Sequence, residues 1–130
     1  MELYILRHAI AVPRGTPGYP NDDRPLTDGG IEKIKKAARG ICQVVDEIDL
    51  VFSSPLKRAY DTAVIAGETV HFGELQKTDT LLPGSSRTDL LELLTQHKSK
   101  KRLMIVGHEP DLGRFAAYLL GSSDSSLEFK

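Results

Sequence analysis

One cysteine, Cys42, stands in the whole chain, so no disulfide can form within it. Nor is it a nucleophile of the tyrosine-phosphatase kind, because the arginine that such chemistry needs a fixed step later is replaced by Ile48. In its apolar helical setting Cys42 is expected to be a small buried core residue. Tryptophan is absent, and charge of one sign is not in excess: Lys plus Arg is 17 and Asp plus Glu 18, a formal charge of −1. That balance supplies no bulk attraction for DNA, RNA or an anionic membrane, so no nucleic-acid partner is expected. No apolar run approaches the ~20 residues of a bilayer span. The short apolar start is followed at once by Arg7 and His8, so no signal peptide and no membrane partner are expected. Few cysteines and no leader together predict a cytoplasmic protein in reducing surroundings.

The 130 residues are read as one domain, 1–130. Short apolar runs alternate with longer amphipathic stretches. Residues 2–6 (ELYIL), 50–52 (LVF) and 103–106 (LMIV) read as buried strands, and 74–78 as an edge strand. Residues 28–46 space Ile31, Ile34, Ala38, Ile41 and Val45 by three and four, which predicts a helix capped by Thr27. Its other face, with Glu32, Lys33, Lys35, Lys36 and Arg39, is expected to be solvated. Ser54 and Pro55 read as N-cap and first residue of a helix to about Ala66, with Gly67 as its stop. Residues 87–96 predict a third helix and 110–120 a fourth, with Phe115, Tyr118 and Leu119 on its buried side. His71 on a turn, His97 at a helix end and the basic run 98–102 (KSKKR) are expected to face solvent. Two loops are expected, 13–25 and 122–126. The last residues, 127–130, read as the start of one more strand, with a further C-terminal element expected to be missing. This alternation predicts an α/β fold: a single three-layer domain, its mostly parallel sheet covered by helices on both faces.

In such sheets ligands bind beyond the carboxyl ends of the strands. Arg7 and His8 follow the strand at 2–6, Ser53, Ser54 and Arg58 that at 50–52, and Gly107, His108 and Glu109 that at 103–106. Two arginines beside two histidines would repel a divalent cation, and HxH, HExxH and CxxC are all missing, so no metal is expected. The same set suits an oxyanion, because guanidinium forks bind phosphate through paired N–H groups. No phosphate loop or nucleotide fingerprint is present, so no cofactor is expected. What remains is an imidazole nucleophile that attacks phosphorus, with arginine charges keeping it unprotonated.

These residues carry a resemblance. Leu6-Arg7-His8-Ala9 resembles the Arg-His-Gly signature of the histidine phosphatase (phosphoglycerate mutase-like) superfamily, with Ala9 in the place of glycine. Residues 53–63 (SSPLKRAYDTA), 106–109 (VGHE) and 24–30 (RPLTDGG) resemble its other segments, in the same order. The short length and the alanine variant are most similar to SixA-type phosphohistidine phosphatases. The resemblance implies a metal-independent phosphatase with His8 as nucleophile. Arg7, Arg58 and His108 would complete the phosphate pocket, Ser54 at the same rim is expected to bind substrate with them, and Thr62 would support the site by packing or hydrogen bonding. The substrate it implies is a phosphohistidine-bearing signalling protein, such as a phosphotransfer protein. The alternatives are a small phosphomonoester or acyl phosphate, or a non-catalytic phosphoprotein-binding module. Larger members supply a carboxylic acid to the leaving group. Here residues 81–86 contain no acid, which leaves Glu109, Asp23, Asp22 or no donor at all.

Overall fold

The computed structural model describes residues 1–19 and 22–121, together with the backbone of 128–129. Five strands form a wholly parallel sheet: β1 (Glu2–Arg7), β3 (Leu50–Ser53), β5 (Leu75–Lys77), β6 (Arg102–Gly107) and β7 (Glu128–Phe129), in the order β5-β3-β6-β1-β7. A second ribbon pairs β2 (Glu47–Ile48) with β4 (His71–Phe72). Among the described residues four α-helices accompany them: α1 (Asp28–Cys42), α2 (Lys57–Gly67), α3 (Arg87–Gln96) and α4 (Asp111–Leu120). The expected α/β architecture is thus present.

Successive side chains on a strand point to opposite faces, and β6 divides the core accordingly. Leu103 and Ile105 join Leu3, Leu50 and Phe52 beneath Leu90, Leu94, Leu112, Phe115 and Leu119 of α3 and α4. Met104 and Val106 join Val51 beneath Ile34 and Ala38 of α1 and the alanines 59, 63 and 66 of α2. Burial on both faces explains why these strands are continuous apolar runs. The small residues of α2 let it pack closely, so Arg58 on the same helix is carried into the interior.

Several expectations need correction. Helix α2 begins at Lys57, later than Ser54 and Pro55, and includes Gly67. The Ser54 hydroxyl still accepts from the Leu56 amide at 3.2 Å, so it terminates free N–H groups just ahead of the helix. Cys42 is exposed. It closes α1 roughly 80° around the helix from Ile34, past the edge of the buried stripe. Tyr118 is 38% exposed and lies under the Arg87 guanidinium, 4.4 Å from its ring centroid. His97 is half-buried against Phe52, with ring centroids 4.9 Å apart. His71 is exposed as expected, but it lies in β4 rather than a turn. Residues 122–127 and 130 lie outside the described residues, and with them the expected loop 122–126. Residues 128–129 form a short strand beside β1, as the sequence suggested. Among the described residues no helix is long and apolar enough to cross a membrane.

Candidate active site

Strand register brings the site together. Arg7 of β1 pairs with Gly107 of β6, and Ser53 of β3 with Val106, so three strands end nearly level. The ladder continues for one more residue on each side: His8 donates its amide to the Gly107 carbonyl at 3.0 Å, and Ser54 to that of Val106 at 2.9 Å. His8, Ser54 and His108 therefore emerge side by side on rigid backbone.

The imidazoles of His8 and His108 lie with centroids 5.2 Å apart and planes inclined at 56°. The His8 Nδ1 is 2.7 Å from the Ala9 carbonyl. A carbonyl can only accept, so Nδ1 carries the proton and the lone pair of the neutral ring sits on Nε2. Burial lowers the pKa of His8. The bond to Ala9 opposes this, but the charges of Arg58, Arg7 and Arg24 add to the lowering, and the net value falls below the ordinary 6.5. His108 is pushed down further, to about 4, by burial and then by the charge of Arg58. Both rings are thus neutral near pH 7.

His108 is 4% exposed, and its Nε2 stands 2.8 Å from the Ser54 hydroxyl. Among the described residues its Nδ1 is buried without a protein partner, as is Nε of Arg58. A buried donor left unpaired is costly, so two such atoms on neighbouring side chains mark a place where an acceptor belongs. Thr62, fully buried, ties the site to its support. Its hydroxyl donates to the Arg58 carbonyl at 2.7 Å and accepts from the Ala9 amide at 2.9 Å.

Arg7 is exposed and, with His8, Arg24 and Lys33, lines an open cleft of about 510 Å³. Lys33 had been expected on a solvated face, and periodicity alone could not reveal that this face borders the cleft. Arg24, which the sequence marks only as part of a helix entry, borders the same cleft. It donates through Nη1 to the Val12 carbonyl at 3.0 Å, which fixes it inside the first loop. The base of that loop is closed by an antiparallel bridge between Ala11 and Leu26.

The three carboxyl candidates occupy different places. Asp22 faces Arg58 directly: its Oδ2 accepts from Nη2 at 3.1 Å, its Oδ1 lies 3.1 Å from Nη1, and its backbone carbonyl accepts from Nη1 at 3.2 Å. Arg24 holds the same Oδ1 through Nε and Nη2, both at 3.0 Å. Partial burial would raise the pKa of Asp22, but the hydrogen bonds and charges of these two arginines carry it below 3.8. Glu109 is exposed and its carboxylate turns back to the Gly113 amide at 3.3 Å. Asp23 is exposed beside Asp22. No cluster of three or more His, Cys, Asp or Glu side chains arranged for a metal occurs among the described residues.

Comparison with known proteins gives three findings. The family model of the histidine phosphatase superfamily (branch 1) matches residues 3–82. An uncharacterized protein of Picosynechococcus is 35% identical over 134 residues, which span all of this chain and 80% of that protein. Among solved structures, a protein of Agrobacterium tumefaciens assigned as the phosphohistidine phosphatase SixA superposes with a TM-score of 0.77 at 24% identity, over 92% of this chain and 74% of that one. A protein histidine phosphatase SixA complexed with tungstate superposes at 0.78 and 24% identity, over 88% and 74%.

Proposed function

The chain belongs to the histidine phosphatase superfamily (branch 1), and from that premise we propose that it is a phosphatase that forms a phosphohistidine on His8 and removes phosphate from phosphohistidine in a signalling protein. The observation that carries this reading is the His8 ring itself, neutral, with Nδ1–H held by the Ala9 carbonyl and Nε2 free to attack.

In the proposed reaction the Nε2 lone pair forms a bond to phosphorus as the bond from phosphorus to the substrate nitrogen breaks. The departing electron pair returns to the substrate ring, which leaves as neutral imidazole when its other nitrogen is protonated. Phosphorylated His8 keeps its Nδ1–H on the Ala9 carbonyl and so becomes a cationic ring, itself a good leaving group. Water then attacks phosphorus, the N–P bond breaks, and His8 regains its lone pair while the water's protons pass to phosphate and solvent. Arg7, Arg58 and His108 stabilise the equatorial oxygens, with Nε of Arg58 and Nδ1 of His108 supplying the donors that lack protein partners. Ser54 sets the orientation of His108.

The placement of the carboxylates favours a nitrogen leaving group. Asp22 is held charged by two arginines and has no proton to give, and Glu109 is turned to its own helix. An alkoxide leaving from a phosphomonoester needs a general acid; an imidazole needs little help. A protein histidine phosphatase SixA of similar fold is complexed with tungstate, an oxyanion, which supports an oxyanion as the ligand proposed here.

The test is turnover of a labelled phosphohistidine phosphotransfer domain beside an aryl phosphate. We expect the protein substrate to have the higher kcat/KM, and quenched wild type to carry an acid-labile, base-stable label that His8→Ala lacks. A higher kcat/KM for the aryl ester overturns the substrate assignment. Phosphate release without such a label overturns the mechanism.

A further inference from the structure

Building on the proposed phosphate site, we propose that the Asp22 carboxylate is a resident competitor for the substrate's phosphoryl group, occupying the Arg58 fork and giving way when phosphate arrives. Asp22 then sets how tightly the site holds both phosphorylated substrate and released orthophosphate.

Four observations carry this. The carboxylate meets Arg58 end-on, with one oxygen on each terminal nitrogen, which is the bidentate geometry by which guanidinium also receives two phosphate oxygens. Nη1 donates to the backbone carbonyl of Asp22 and stands 3.1 Å from Oδ1, so Asp22 fills the place a phosphate oxygen would need at that nitrogen. The Arg58 side chain is 4% exposed and that of Asp22 34%, so the carboxylate lies toward solvent, the side from which a ligand comes. Finally, Asp22 is the one non-glycine residue with positive φ among those described, at 62°. Aspartate tolerates the left-handed region better than most residues, but the conformation is uncommon enough to need support, here the two arginines.

A carboxylate here also solves a problem of charge. Arg7, Arg24 and Arg58 surround His8, and without an anion they would repel one another and bind phosphate tightly enough to hinder product release. A counter-anion on the chain neutralises them between turnovers and re-enters as orthophosphate leaves. The alternative role, in which Asp22 only positions Arg58, predicts the opposite sign on removal.

Binding of orthophosphate and of tungstate, followed by calorimetry, tests this without requiring turnover. Asp22→Asn keeps the shape and removes the charge. It is expected to bind both oxyanions about tenfold more tightly than wild type, since a like charge beside the ligand is gone. Asp22→Ala is expected to shift affinity in the same direction, and circular dichroism checks that both variants are folded. In turnover, Asp22→Asn is expected to show a lower KM and stronger inhibition by orthophosphate. Equal or weaker oxyanion binding in both variants overturns the proposal, as does no binding to any of the three proteins. Activity of wild type on the phosphohistidine protein reports separately on the proposed function.

Discussion

His8 and His108 share one rim with ring centroids 5.2 Å apart, and neither ring can charge without raising the cost of charging the other. The acid limb of activity follows. In the proposed reaction His8 attacks only when neutral, and its pKa lies below 6.5, so kcat/KM is expected to hold on mild acidification and fall only at lower pH. A pH–rate profile for a substrate that does not itself titrate there measures this. A limb at or above 6.5 contradicts it.

Stability has a pH dependence of defined sign. The folded pKa of His108, about 4, lies below its ordinary 6.5. Between those values the unfolded chain binds more protons, so stability rises with pH through that window and is complete above it. It is lost as pH falls toward about 4, by up to about 3 kcal/mol for this single group. Urea titrations across the window should show that slope, and His108→Gln should flatten it.

Ser54→Ala removes the hydroxyl that pairs with the His108 Nε2 and accepts from the Leu56 amide. The expected loss is about 1–2 kcal/mol in urea unfolding. A larger proportional fall is expected in kcat than in KM, because the change acts on how His108 is aimed. Nitrogen chemical shifts of the imidazole should report an altered tautomer balance.

Thr62→Val keeps the shape of a fully buried side chain but leaves the Ala9 amide unpaired. A cost of about 1–3 kcal/mol is expected, with reduced activity, since one hydroxyl joins the residue after His8 to the helix carrying Arg58. Thr62→Ser keeps both bonds and should recover most of the activity. Equal behaviour of the two variants in urea melts and kinetics contradicts this role.

Gly30 is buried in the first turn of α1, where an added Cβ would collide with the backbone carbonyl of Ile10. Gly30→Ala is expected to cost about 1–3 kcal/mol by pushing α1 away from the segment that follows His8. Gly29→Ala, whose Cβ would meet only the Thr27 hydroxyl oxygen at 4.0 Å, should be tolerated. Thermal melts of the pair decide between them.

Much of this fold was legible because its strands are buried on both faces. Residues 50–52 and 103–106 could be read directly as apolar runs, and residues 87–96 matched α3 at both ends. The cap at Thr27 was also legible, since its hydroxyl accepts from the Gly30 amide at 2.9 Å. The ribbon of β2 and β4 was not, because two-residue strands have no period to detect. Exposure was misjudged for Cys42, His97 and Tyr118, because the reach of a helix past its sheet depends on packing. Arg7, His8, Arg58 and His108 followed from their places after strands, whereas Arg24, in the loop before α1, did not. The contact between Asp22 and Arg58 did not, because it depends on a left-handed residue in a long loop, and local pattern carries no such signal.

The level ends of β1, β3 and β6 have a last consequence, for the order in which the protein comes alive. Neighbours in this sheet are distant in sequence, and parallel pairing of remote segments forms late and slowly during folding. A growing or partly folded chain therefore holds His8 apart from Arg58 and His108. The proposed reactivity is therefore expected only once the sheet has closed.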